Sequence, residues 1–138
     1  MSKTTKGPQV PFIFMPGFCQ RYESPIVTYN GVTMAGVAHV AGAAGLKMTA
    51  VLPDWRKDSP AARLDRMVAA AVRVAGPGEP VILSGFSMGG ATALQAAKAL
   101  ADTPNAPKPF GVVAASASPV FGGAHGEGDP YSAFQELF

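Results

Sequence analysis

The run Val81-Ile82-Leu83-Ser84-Gly85-Phe86-Ser87-Met88-Gly89-Gly90 constrains the fold more than any other part of the chain. A short apolar stretch leads into Gly-x-Ser-x-Gly, and an alanine-rich segment suited to a helix follows at once. Strand, sharp turn and helix in that order are the context in which this motif presents a serine. Glycine at 85 and 89 removes the Cβ atoms that would hold strand and helix apart. The helix start then sets N–H groups without intrahelical acceptors, and a positive dipole end, beside Ser87. With 16 glycines in the chain the bare motif arises easily by chance, so its flanks carry the inference.

The bulk properties bound the rest. A chain of 138 residues that is 48% hydrophobic and 14% charged builds one compact domain with a real core. A net charge of +2, with Arg56-Lys57 as the sole adjacent pair of cations, is too small to argue for nucleic acid, and no nucleic-acid partner is expected. The single cysteine, Cys19, allows no internal disulfide and fits a reducing compartment. No apolar h-region follows the polar stretch Met1 to Gln9, and no run has the length of a membrane span. A cytoplasmic protein is the expectation. One cysteine and two distant histidines, His39 and His125, make no zinc site, and neither a P-loop nor a dinucleotide-binding glycine pattern occurs. No metal or other cofactor is expected.

Four strands and three helices are legible. Pro11 to Met15 reads as a buried strand leaving through the Pro16-Gly17 turn. Gly31 to Ala44 is rich in small residues, and Gly45 stands where a helix C′ glycine belongs. Leu46 to Leu52 is a second strand, closed by Pro53-Asp54. Ser59-Pro60 forms an N-cap and first-turn proline. Leu64, Val68, Ala71, Val72 and Ala75 then follow helical spacing up to Gly76-Pro77-Gly78. Val81 to Leu83 is the third strand, Met88 to Asp102 the next helix, and Phe110 to Ala115 the fourth strand. Alternation of this kind predicts an α/β fold, a three-layer sandwich around a mostly parallel sheet. Right-handed crossovers gather the loops after Met15, Leu52, Leu83 and Ala115 along one edge, where ligands bind in such sheets.

With these elements placed, the chain resembles the α/β-hydrolase family over roughly Pro11 to Pro119. Phe12-Ile13-Phe14-Met15-Pro16-Gly17-Phe18 resembles its strand and oxyanion loop, with Pro-Gly where His-Gly is more usual. Val51-Leu52-Pro53-Asp54-Trp55-Arg56 resembles the strand end carrying Asp-x-Arg, although Lys57-Asp58-Ser59 replaces the glycine-rich continuation. Gly85-Phe86-Ser87-Met88-Gly89-Gly90 resembles the nucleophile elbow. The resemblance implies Ser87 as nucleophile and the backbone N–H groups of Phe18 and Met88 as oxyanion donors. The side chains of Phe18 and Met88 serve either an apolar acyl pocket or ordinary packing, Phe86 stands where His is frequent, and Asp54 and Arg56 are expected to brace their loop.

The pattern breaks at the acid and base. The family order is Ser, then acid, then His, whereas here His39 falls mid-helix and reads as structural. His125 follows the fourth strand with Glu127 and Asp129 close behind, reversing that order. Either this glycine-rich loop supplies the base and acid, or the chain, residues 1–138, is a single domain lacking C-terminal strands. Truncation is the preferred expectation, because the fourth strand is otherwise an open apolar edge prone to self-association. Two main functions follow, with acyl transfer or cofactor-free haloperoxidase chemistry on the same fold as a third that the resemblance leaves open. One is a serine hydrolase acting on a small-molecule ester, thioester or amide. The other is a non-catalytic binding module that kept the elbow and lost its base. Phe121, Tyr131, Phe134, Leu137 and Phe138 suit either an apolar cap or a helix on the open sheet, the second being favoured.

Overall fold

A computed structural model describes residues 9–17, 34–54 and 57–115. Along the chain they form β1 (Val10–Met15), α1 (Met34–Ala43), β2 (Leu46–Ala50), α2 (Pro60–Val74), β3 (Pro80–Phe86), α3 (Met88–Ala101) and β4 (Lys108–Ala115). The strands make one sheet in the order β2-β1-β3-β4, and every neighbouring pair is parallel. The α/β class and the parallel sheet expected from the alternation are therefore present.

The order explains the layers. From β1 the chain moves outward to β2, then returns past β1 to β3 and continues in that direction to β4. Right-handed crossovers made in opposite directions place their helices on opposite faces. Accordingly, Ile13, Met15, Val81 and Leu83 meet Met67, Ala70 and Ala71 of α2 and Ala93, Ala96, Ala97 and Leu100 of α3 in one core. On the other face Phe12, Phe14 and Phe86 form a smaller cluster with Ala41 and the half-buried Val37 of α1. Successive side chains of a strand point to opposite faces, so a strand buried on both sides carries an unbroken apolar run. β1 and β3 do so.

Helix ends follow local chemistry. The Ser59 hydroxyl accepts the Ala62 N–H at 3.1 Å and Pro60 opens α2, satisfying one orphan donor where a missing N–H costs nothing. Gly45 closes α1 at φ 79°, a left-handed value glycine adopts without strain. Several details differ from the sequence reading, and β2 ends at Ala50 rather than Leu52, since its pairing with β1 stops there, before the turn at Pro53. β3 runs through the motif to Phe86 rather than stopping at Leu83, because Ser84, Gly85 and Phe86 continue the ladder with β1 and β4. In α2 the buried positions are Arg63, Met67, Ala70 and Ala71, while Val72 is exposed. β4 begins earlier, at Lys108, and bulges at Phe110, where Val81 pairs with Pro109 and Ile82 with Gly111. Lysine, proline and a bulge are devices that blunt an edge strand, and they guard only the first half of β4. Among the described residues no helix is long and apolar enough to cross a membrane.

Candidate active site

The direction of the chain reverses between β1 and β3, whose connections leave the sheet to opposite sides. Such a switch point opens a crevice at the carboxyl ends of the two strands. Pro16 and Gly17 leave β1 there, and Ser87 leaves β3 beside them.

Ser87 joins β3 directly to α3 and has φ 56° and ψ −117°. A non-glycine residue held outside its favoured regions costs about 1–3 kcal/mol and persists only where its surroundings fix it. Here the fixing contacts are explicit. The Ser87 N–H donates to the Ala115 carbonyl at the end of β4 at 2.9 Å, and the Ser87 carbonyl accepts the Ala91 N–H at 3.1 Å. A Cβ on Gly85 would stand 2.2 Å from the carbonyl carbon of Gly89, and one on Gly89 would stand 2.0 Å from the Met15 carbonyl oxygen. Strand, turn, helix start and the end of β1 are thus in backbone contact, and any side chain at 85 or 89 would force them apart.

The Ser87 hydroxyl makes no cap bond to α3 and is half-exposed. Serine at an N-cap ordinarily gives its oxygen to the N2 or N3 amide, and here that bond is not made. Met88 opens α3, so its N–H lies among the donors with no intrahelical acceptor, at the positive end of the dipole. Gly17 brings the β1 loop against the same spot. A Cβ added to Gly17 would lie 3.4 Å from the Ser87 Cβ and 3.1 Å from the Phe86 ring. In sequence Gly17 reads as half of a turn and, by resemblance only, as part of an oxyanion loop; its place beside Ser87 follows from the strand order. Phe18, the expected second oxyanion donor, lies outside the described residues.

At the end of β2 the next loop on this edge is closed by Asp54 and Asp58. The Asp54 carbonyl accepts the N–H groups of Lys57 and Asp58 at 3.1 and 2.7 Å, and the Asp58 carboxylate accepts the Asp54 N–H at 2.9 Å. Arg66 reaches that carboxylate with Nε at 2.6 Å and Nη2 at 3.2 Å, and the buried Arg63 donates to the Asp58 carbonyl at 2.9 Å. The Arg66 hydrogen bond holds the Asp58 carboxyl below its ordinary value against the opposing effect of burial, helped by the Asp54 N–H and the two guanidinium charges. Asp54 thus takes part in bracing this loop, while its companion Arg56 lies outside the described residues. Asp58, Arg63 and Arg66 were not singled out from sequence, because side chains three to eight positions apart on a loop and helix leave no spacing signature.

Of the two histidines, His39 is on α1 with an exposed side chain. His125, Glu127 and Asp129 lie outside the described residues, as does Cys19. No family model matches the chain, and no curated protein or solved structure is found similar to it.

Proposed function

We propose that this chain is a serine hydrolase of the α/β-hydrolase kind, cleaving a small-molecule ester, thioester or amide through an acyl-enzyme on Ser87. The observation that carries the reading is the backbone of Ser87, at φ 56° and ψ −117° between a central strand and a helix. A strained strand-to-helix serine at the top of a parallel sheet is the geometry by which a nucleophile is lifted toward substrate. The place of Ser87 at the switch point of the sheet and the absence of a cap bond from its hydroxyl support it further.

In this scheme the Ser87 oxygen attacks the substrate carbonyl carbon while a base takes its proton. The tetrahedral oxyanion is met by the Met88 N–H and a second donor from the β1 loop, for which Phe18 is the candidate. Collapse expels the alcohol, thiol or amine, which regains the proton, and water then releases the acid from Ser87. His125, with Glu127 or Asp129 to orient it, is the candidate base. The protein works in the cytoplasm in this reading, consistent with its single cysteine.

Fluorophosphonate labelling followed by intact-mass analysis tests the proposal. A single adduct present on the native sequence and lost in Ser87→Ala supports an activated Ser87. Folded protein that takes no adduct refutes it, and leaves the non-catalytic binding module as the better account.

A further inference from the structure

From Met88 to Leu94 every residue of α3 is buried, and Thr92 is the one polar side chain among the buried residues of that helix. Glycine and alanine fill most of these positions. Packing alone would favour alanine at 92 as well. Threonine is β-branched, loses rotamer freedom in a helix, and brings a hydroxyl that must find a partner when buried. That hydroxyl donates to the Met88 carbonyl at 3.0 Å, one turn back toward Ser87. Helical pairing directs the Thr92 N–H to the same oxygen. One residue therefore holds the Met88 carbonyl with two donors.

We propose that Thr92 is a positioning residue for the oxyanion donor on Met88, an inference that rests on the reading of Ser87 as nucleophile. A serine N-cap ordinarily fixes the first turn of its helix through its own oxygen, and Ser87 makes no such bond. The turn lacks its usual anchor at the place where the Met88 N–H must keep one direction. Oxyanion donors act by being aimed before charge develops, so a loosely held N–H stabilises less. The peptide that carries this N–H is instead fixed from both sides. Its own carbonyl, that of Ser87, accepts the Ala91 N–H at 3.1 Å, and the next carbonyl, that of Met88, is held by Thr92. A hydroxyl bonded back to the carbonyl four residues earlier also tilts the turn it joins. Thr92 thus sets the aim of the donor from inside the helix, without drawing on the Ser87 side chain.

Three variants of the full chain test it. Thr92→Val keeps the branched shape without the hydroxyl, Thr92→Ala removes the hydroxyl and adds no bulk, and Thr92→Ser keeps the hydroxyl. The Met88 carbonyl retains its helical bond in all three, so Tm should stay within about 4 °C of the parent. The second-order rate of fluorophosphonate labelling at Ser87 should fall about fivefold in Thr92→Val and Thr92→Ala, less than the roughly hundredfold cost of losing a whole donor. Thr92→Ser should recover the rate to within about twofold. In amide NMR spectra the Gly89 N–H, which shares a peptide with the Met88 carbonyl, should move upfield in Thr92→Val and return in Thr92→Ser. Parent-rate labelling by folded Thr92→Val or Thr92→Ala overturns the proposal. So does a slow Thr92→Ser, an unmoved Gly89 resonance, or a rate loss that merely tracks a fall in Tm. A parent chain that takes no adduct refutes the nucleophile and Thr92 with it, whereas a labelled parent beside unaffected variants refutes Thr92 alone.

Discussion

Gly85 and Gly89 meet backbone to backbone across the turn that carries Ser87: a Cβ at 85 would lie 2.2 Å from both the carbonyl carbon and oxygen of Gly89. No rotamer change relieves such a contact, since both partners are main chain. Gly85→Ala should therefore destabilise the fold by about 3 kcal/mol or more, at the severe end of overpacking. Gly111→Ala provides the contrast, because a Cβ there meets nothing within 4 Å and its φ is unexceptional. That change should stay within about 0.5 kcal/mol of the parent. Urea unfolding of the two variants checks the pair, and similar losses in both would show that the elbow contact is not what makes position 85 special.

Replacing Ser87 separates strain from chemistry. Glycine tolerates φ 56° where serine and alanine do not. Ser87→Gly should accordingly be more stable than the parent by about 1 kcal/mol after its larger unfolded-state entropy is counted, a rise of roughly 4 °C in Tm. Ser87→Ala should sit near the parent, and neither variant should take a fluorophosphonate. Calorimetry that finds glycine no better than alanine would show that the turn is not strained at this residue.

Most of the fold was legible because each element carried its own punctuation. Ser59-Pro60 marks the start of α2, Gly45 the end of α1, and the apolar runs of β1 and β3 mark central strands. What was not legible depends on tertiary placement. The β4 bulge at Phe110 arises from pairing with β3, and Val72 of α2 turns outward although its apolar spacing fits a core position. Arg63 is buried in its stead, since its guanidinium finds the Asp58 carbonyl on the preceding loop. At the site, Ser87 was identified from Gly-x-Ser-x-Gly. The contact of Gly17 with it and the Ala115 carbonyl that holds its N–H both require the strand order.

Asp58 should make the stability acid-sensitive. Its carboxyl is held below its ordinary value, chiefly by the Arg66 hydrogen bond, so the folded state binds fewer protons at this site than the unfolded chain. The contribution is then fully present above the ordinary carboxylate value, about 4, and is lost as pH falls through the lower folded value. Arg66 is half-exposed, and solvent screening limits the effect to about 1 kcal/mol. Asp58→Asn should be less stable than the parent at pH 7 by about that amount, with the gap closing toward pH 3. Urea midpoints measured for both proteins across this range check the sign, and a gap that stays constant or widens in acid would contradict it.

Gly17→Ala probes the β1 loop without touching the serine. The added Cβ would lie 3.1 Å from the Phe86 ring, 3.3 Å from the Phe86 carbonyl oxygen and 3.4 Å from the Ser87 Cβ. These distances are tight rather than impossible, and a shift of a few tenths of an ångström in the loop or ring accommodates them. The stability loss should accordingly be modest, about 1 kcal/mol. Reactivity is more exacting, because a displacement of about 1 Å between reacting groups costs on the order of a hundredfold in rate. If the loop after β1 supplies an oxyanion donor, the second-order rate of fluorophosphonate labelling at Ser87 should fall about tenfold in Gly17→Ala. Gly42→Ala serves as the control, since α1 leaves open space at that position, and its labelling rate should match the parent. A folded Gly17→Ala protein that labels at the parent rate would remove the β1 loop from the reactive geometry and leave the donors at the start of α3 to act alone.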